Sequence, residues 1–180
     1  MTTYNIKTKL AILASVATLA LYSTAAMAAT QNVTANIAFE NAITLTKNAD
    51  INFGVVTAGQ ANTYKIDIAA AVTVTGGAGS GVSLGGTKAA GDILIQGSAT
   101  QTISIQANNF VANAGVTASL VTCGYNGGAE TACTASAITG QAAPTGAGKT
   151  LLLGASATAD GTQAAGSTAA PTFDVVVNYG

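Results

Sequence analysis

Cys123 and Cys133 are the only cysteines in the chain, and they flank a glycine-rich stretch, Gly124-Tyr125-Asn126-Gly127-Gly128-Ala129-Glu130-Thr131-Ala132. Two thiols at that spacing can close a disulfide that clips a hairpin or its loop, for which the chain-entropy model gives about 2 to 3 kcal/mol. Metal binding would need further soft or imidazole ligands, and a catalytic thiol would need a base. The chain has no histidine and no third cysteine. The loss of histidine removes the commonest general base along with the commonest metal ligand. What remains for acid–base chemistry is seven carboxylates, Glu40, Asp50, Asp67, Asp92, Glu130, Asp160 and Asp174, scattered along the chain. Nothing in their spacing pairs any two as glycoside hydrolysis requires. The chain is therefore expected not to be an enzyme, and to hold neither a metal nor a cofactor.

One stretch imitates a nucleotide site. Pro144-Thr145-Gly146-Ala147-Gly148-Lys149-Thr150 looks like a phosphate-binding loop, but the position that pattern gives to its first glycine holds Ala143. The pattern also needs a buried strand before the loop and a helix after it, so that backbone N–H groups converge on the phosphates. Ile138 to Ala142 offers a single large apolar side chain, and Leu151 to Leu153 runs into Gly154. A glycine-rich turn feeding a strand is the expected structure.

Composition narrows the partners. Beyond the first 28 residues the chain keeps only Lys47, Lys65, Lys88 and Lys149 as cations and has no arginine. Nucleic-acid binding depends on cations that neutralise phosphates, so no nucleic-acid partner is expected. No Trp is present, and Tyr64, Tyr125 and Tyr179 are too few to build a stacking platform for sugars. The surplus of Ala, Gly, Thr, Ser and Val, with charged residues at 7%, suits extended, tightly packed strands with little self-repulsion.

The elements that must position these residues begin with an export signal. Lys7 and Lys9 precede an apolar run from Leu10 to Tyr22, and Ala26-Met27-Ala28 fits a signal-peptidase site. Residues 1–28 are read as a signal peptide and 29–180 as one mature domain. The apolar run is shorter than the ~20 residues that span a bilayer, so no retained membrane anchor is expected.

In the mature part, alternation recurs in short runs. Val33, Ala35, Ile37 and Phe39 share one phase, Ile43 and Leu45 continue it, and Lys47 to Asp50 reads as a turn before Ile51, Phe53 and Val55. Tyr64 to Val74 makes one long strand or a bent pair, broken by Gly76 to Gly81. Further runs are Ile93 with Ile95, Ile103 with Ile105, Ala118 with Leu120, and Leu151 with Leu153; residues 139–149 and 154–171 read as loops or weak edge strands. No helical periodicity stands out. About nine or ten short strands with turn signals between them predict an all-β, immunoglobulin-like β-sandwich.

The ending carries the clearest pattern. Phe173, Val175, Val177 and Tyr179 fall on one face of a strand, with Asp174 and Asn178 on the other. Chain ends usually fray, so this one is expected to be tied into the core of its own domain or of a neighbour.

With Ile43-Thr44-Leu45-Thr46-Lys47-Asn48-Ala49-Asp50-Ile51-Asn52-Phe53-Gly54 near its start, Gly76 and Gly77 in its middle, and Phe173 to Tyr179 at its end, the chain resembles a secreted bacterial family. That family is the domain of unknown function numbered forty-four hundred and two, and the likeness covers nearly all of residues 33 to 179. It is similar in turn to fimbrial subunits and spore-coat-U-like proteins, whose immunoglobulin-like folds are incomplete. The resemblance implies a structural subunit of a surface filament or coat, assembled by β-strand addition. It implies a periplasmic chaperone, an outer-membrane usher and copies of itself or related subunits as partners, with passage through the periplasm to the cell surface or beyond. On this reading Val33, Ala35, Ile37 and Phe39 form the donor strand, and Phe173, Val175, Val177 and Tyr179 form the terminal strand that receives a partner. The alternative expectation is a self-complete secreted β-sandwich whose residues 33–39 pair within their own domain.

Overall fold

β-branched residues and short glycine turns fold this chain into strands only. The computed structural model describes residues 30–180, in which there are twelve strands and no helix. The expected signal peptide, residues 1–28, lies outside the described residues. Contacts divide the chain after Ala38, and all twelve strands belong to the unit that runs Phe39–Gly180.

Every strand pairing is antiparallel. The larger sheet runs β1 (Thr44–Ala49), β6 (Gly91–Gln96), β11 (Lys149–Ala159), β3 (Asn62–Ile66), β4 (Val72–Gly77). β8 (Val116–Tyr125) pairs along β11, and the short β9 (Thr131–Ala132) pairs with β8. A second sheet runs β10 (Ile138–Gln141), β7 (Ile103–Val111), β12 (Thr172–Tyr179), and β2 (Val55–Val56) with β5 (Ser83–Gly85) forms a small ribbon. One cluster of buried side chains takes Ile95, Val121, Leu151 and Leu153 from the larger sheet and Ile103, Ile105 and Ala107 from the second. Each fully buried aliphatic side chain of this size contributes about 1.5 to 3 kcal/mol.

The disulfide joins Cys123 on β8 to Cys133 just beyond β9, with Cα atoms 5.9 Å apart. Both cysteines are buried in the same cluster, so the clip ties the β8–β9 hairpin into the core. Tyr64 to Val74 takes the bent form: β3 and β4 make a hairpin whose turn is held by Asp67, which accepts from the N–H groups of Ala69 and Ala71. The phosphate-loop imitation is a turn between β10 and β11, followed by a strand, with Pro144 buried at its base.

Three sequence expectations need correction. Lys47 to Ala49 is not a turn but the second half of β1, with a register shift between Lys47 and Ala49. Leu120 does not share the inward face of Ala118; it sits at φ 42° in an irregular stretch of β8, where it is about half exposed, and Val121 takes the buried place. Residues 154–159 are neither loop nor weak edge strand but the second half of β11, paired with β3 on one side and β8 on the other. Their small side chains are needed there. A Cβ on Gly154 would lie 2.6 Å from the Ile66 carbonyl oxygen and 2.6 Å from Thr122 Oγ1, so this crossing accepts glycine where composition alone suggests a loop.

Candidate functional site

The terminal strand β12 lies at an edge, paired with β7 alone. Along it Phe173, Val175, Val177 and Tyr179 are half-buried and packed against the core cluster, while Thr172, Asp174, Val176 and Asn178 are exposed. Directly opposed residues of an antiparallel pair share a face, so the partners of the inward residues report how deep that face lies. Val175, Val177 and Tyr179 stand opposite Ala107, Ile105 and Ile103, all fully buried. The core is sealed over β7 and only partly covered one strand further out.

The first strand repeats the pattern at the edge of the other sheet. β1 pairs with β6 alone, and Leu45 stands opposite Ile95. Ile95 is 0% exposed and Leu45 is 40% exposed. Ile43 and Ile93 at this edge, with Ile51 and Phe53 after it, are likewise partly buried against the cluster.

The two edges meet at one corner. The Tyr179 hydroxyl donates to the carbonyl oxygen of Asn41 and accepts from the N–H of Ser98 at 2.8 Å. A Cβ on Gly97 would come within 2.6 Å of that hydroxyl and 3.6 Å of Ile43 Cγ1, so glycine lets the end of β12 and the approach to β1 close on the segment after β6. Beside them Glu40 accepts from Ser98 Oγ at 2.5 Å and from Thr100 Oγ1 at 2.9 Å. The Ser98 hydroxyl first, and the Thr100 hydroxyl next, hold the Glu40 carboxyl below its ordinary value. From this corner β1 leads away and β12 arrives, and neither pairs with the other. At the far end of β12 the Phe173 ring packs on Phe110 with centroids 5.7 Å apart.

Residues 30–43 form no strand. Val33, Ile37 and Phe39 are 82%, 76% and 84% exposed, and Ala35 is exposed with them. A run of alternating apolar side chains thus stands exposed, and exposed apolar runs of this kind mark interaction surfaces.

The carboxylates have local duties. Asp50 pairs with Lys47, Asp92 accepts from Asn48, and Asp174 accepts from Asn109. Glu130 accepts from Thr122 and lies 3.5 Å from Lys65 Nζ. Asp160 accepts from the hydroxyl and then the N–H of Thr162 and from Gln163, contacts that lower its pKa. Among the described residues no three His, Cys, Asp or Glu gather as a metal site. The hydroxyls of Tyr64 and Tyr125 are buried without a partner, and burial raises both.

The corner leaves no sign in the sequence. Glu40 and Ser98 are 58 residues apart and Tyr179 and Asn41 are 138 apart; the acid beside Phe39 reads in sequence as a solvated residue. Against known proteins the chain matches no family model, no curated protein and no solved structure.

Proposed function

We propose that this chain is a structural subunit of a bacterial surface filament or coat, built on an immunoglobulin-like β-sandwich that lacks one strand and is completed by an added strand from another copy. The observation that carries the reading is the contrast at the two edges. Leu45 on β1, and Val175, Val177 and Tyr179 on β12, face inward yet are only partly covered, while their partners one strand inward are fully buried. An added strand satisfies the free main-chain groups of an edge and places alternate side chains into the uncovered apolar seam. Val33, Ala35, Ile37 and Phe39 have the two-residue period that such a seam accepts, and they stand exposed.

On this proposal the tail of one molecule fills the seam between β1 and β12 of the next. The seam also suits a periplasmic chaperone that offers a strand of its own before assembly, with an outer-membrane usher as the route out. The chemistry is assembly and not turnover, in keeping with carboxylates tied to turns, hairpins and surface pairs. The segments Ile43 to Gly54 and Phe173 to Tyr179, on which the resemblance to a secreted pilin-like family rests, overlap these same two edge strands.

Phe39→Asp tests the reading. A carboxylate carried into an apolar seam costs several kcal/mol unless the strand stays out, so filaments should shorten or vanish while the isolated domain keeps its fold. Filaments of normal length and heat resistance from this variant would remove Phe39 as a donor anchor.

A further inference from the structure

The far edge of the larger sheet has a different character from the seam. β4 pairs with β3 alone, and from Ile68 to Thr87 the chain holds no charged residue and no proline. Sheet edges are ordinarily kept apart by charge, proline or a bulge. β1 carries Lys47, β12 carries Asp174, and β10 is interrupted by a register shift. On β4 the only irregularity lies at Thr75, where the register against Thr63 and Tyr64 steps by one. Val72 to Val74 remain a regular, uncharged edge.

The direction of its free groups follows from the turn. The N–H of Asp67 donates to the carbonyl of Ala71 at 3.1 Å, which makes these two a hydrogen-bonded pair. Bonded and non-bonded pairs alternate along an antiparallel ladder, so Lys65 with Thr73 is the next bonded pair, and Ile66 with Val72 and Tyr64 with Val74 are non-bonded. The backbone groups of Val72 and Val74 therefore point away from β3. On the core side, Val74 is 39% exposed although its opposite, Tyr64, is 3% exposed.

We propose that β4 is a self-pairing edge, whose occupant is β4 of a second copy of this chain, joined antiparallel about a two-fold axis at Thr73. Val72 of each copy then exchanges both backbone hydrogen bonds with Val74 of the other, and the two copies of Thr73 meet at the axis as a non-bonded pair. An interface of this symmetry sets residue i against j and j against i, with only the axial residue facing its own copy, so a charge at position 73 would repel itself. This one has no charge to oppose. Valine beside valine and threonine opposite threonine are favourable cross-strand neighbours. The edge is distinct from the seam between β1 and β12, so filaments grown by strand addition gain a lateral contact.

The test uses the full mature chain carrying Phe39→Asp throughout, which silences strand addition, so a failure of edge pairing is read independently of the proposed assembly. The chain has no free thiol. In this background Thr73→Cys places two sulfurs across a pair whose Cα atoms lie about 4.5 Å apart, within disulfide reach. The expected result is a covalent dimer from Thr73→Cys under mild oxidation, with Val82→Cys, an exposed site off the strand, left largely monomeric. Thr73→Asp and Thr73→Lys should each shift the sedimenting species from dimer to monomer with an unchanged circular dichroism spectrum. Equal cross-linking at residues 73 and 82, a background chain that is monomeric at every concentration, or a dimer that survives both charged variants would overturn the proposal.

Discussion

Tyr179, the last residue of β12, donates its phenolic hydrogen to the backbone carbonyl of Asn41 and accepts from the N–H of Ser98. One side chain thereby joins the end of the terminal strand to the approach to the first strand. Tyr179→Phe keeps the ring and removes the hydroxyl, which leaves the Ser98 N–H without its acceptor in a part-buried place. The expected loss is about 1 to 3 kcal/mol, read as a lower urea midpoint with an unchanged slope. Deleting Asn178 to Gly180 removes the ring as well, and should lower the yield of folded protein further than the point variant.

The corner should respond to acid. Hydroxyls of Ser98 and then Thr100 hold the Glu40 carboxyl below its ordinary value, so the charged form is favoured in the fold. Its contribution is present above the unfolded pKa and is lost as pH falls through the lower folded one. Glu40→Gln should therefore destabilise the protein at neutral pH and lose most of its difference from wild type in acid. Asp160 is shifted the same way, but it is common to both chains and cancels in the comparison. Unfolding midpoints of the pair from neutral to strongly acid pH measure this, and a constant gap would contradict it.

Removing the clip should matter more than any single hydrogen bond. Cys123 and Cys133 lie in the core cluster, and a disulfide typically contributes about 2 to 4 kcal/mol. The double variant Cys123→Ala with Cys133→Ala is expected to unfold at lower guanidinium concentration than wild type. Equal midpoints would show that the bond constrains nothing.

The crossing of β11 gives a steric test. Gly154→Val sets side-chain atoms against the Ile66 carbonyl and Thr122 Oγ1, and overpacking of this kind costs about 1 to 3 kcal/mol or more. Gly146→Ala is the control, because a Cβ there meets nothing within 4 Å. The first variant should lose yield and thermal midpoint, and the second should keep both.

The strand content of this chain is legible because alternating apolar residues leave a two-residue signature, as from Phe173 to Tyr179, where exposure alternates in the same rhythm. The Cys123–Cys133 bond is legible because a chain with two cysteines has one possible intramolecular pairing. The second half of β11 was hidden because Gly154, Ala155, Ser156 and Ala157 look like a loop, although it is their smallness that lets the strand run between neighbours on both sides. Leu120 broke its alternation because an irregular step in the ladder turns one residue outward, and the sequence carries no mark of the step. The corner was hidden because hydrogen bonds across such separations leave no local pattern. The partial cover of Leu45 and Val177 was hidden for a different reason: an apolar side chain reads the same whether or not something lies over it.

Sedimentation of residues 29–180 at rising concentration is the decisive measurement for strand addition. With no chaperone present, the account predicts oligomers that lengthen with concentration and are shortened by excess synthetic peptide spanning Thr30 to Glu40. The same peptide carrying aspartate in place of Val33, Ile37 and Phe39 should leave them unchanged. A chain that stays monomeric throughout, ignores the peptide and protects residues 29–40 from protease would contradict the account and favour a self-complete domain.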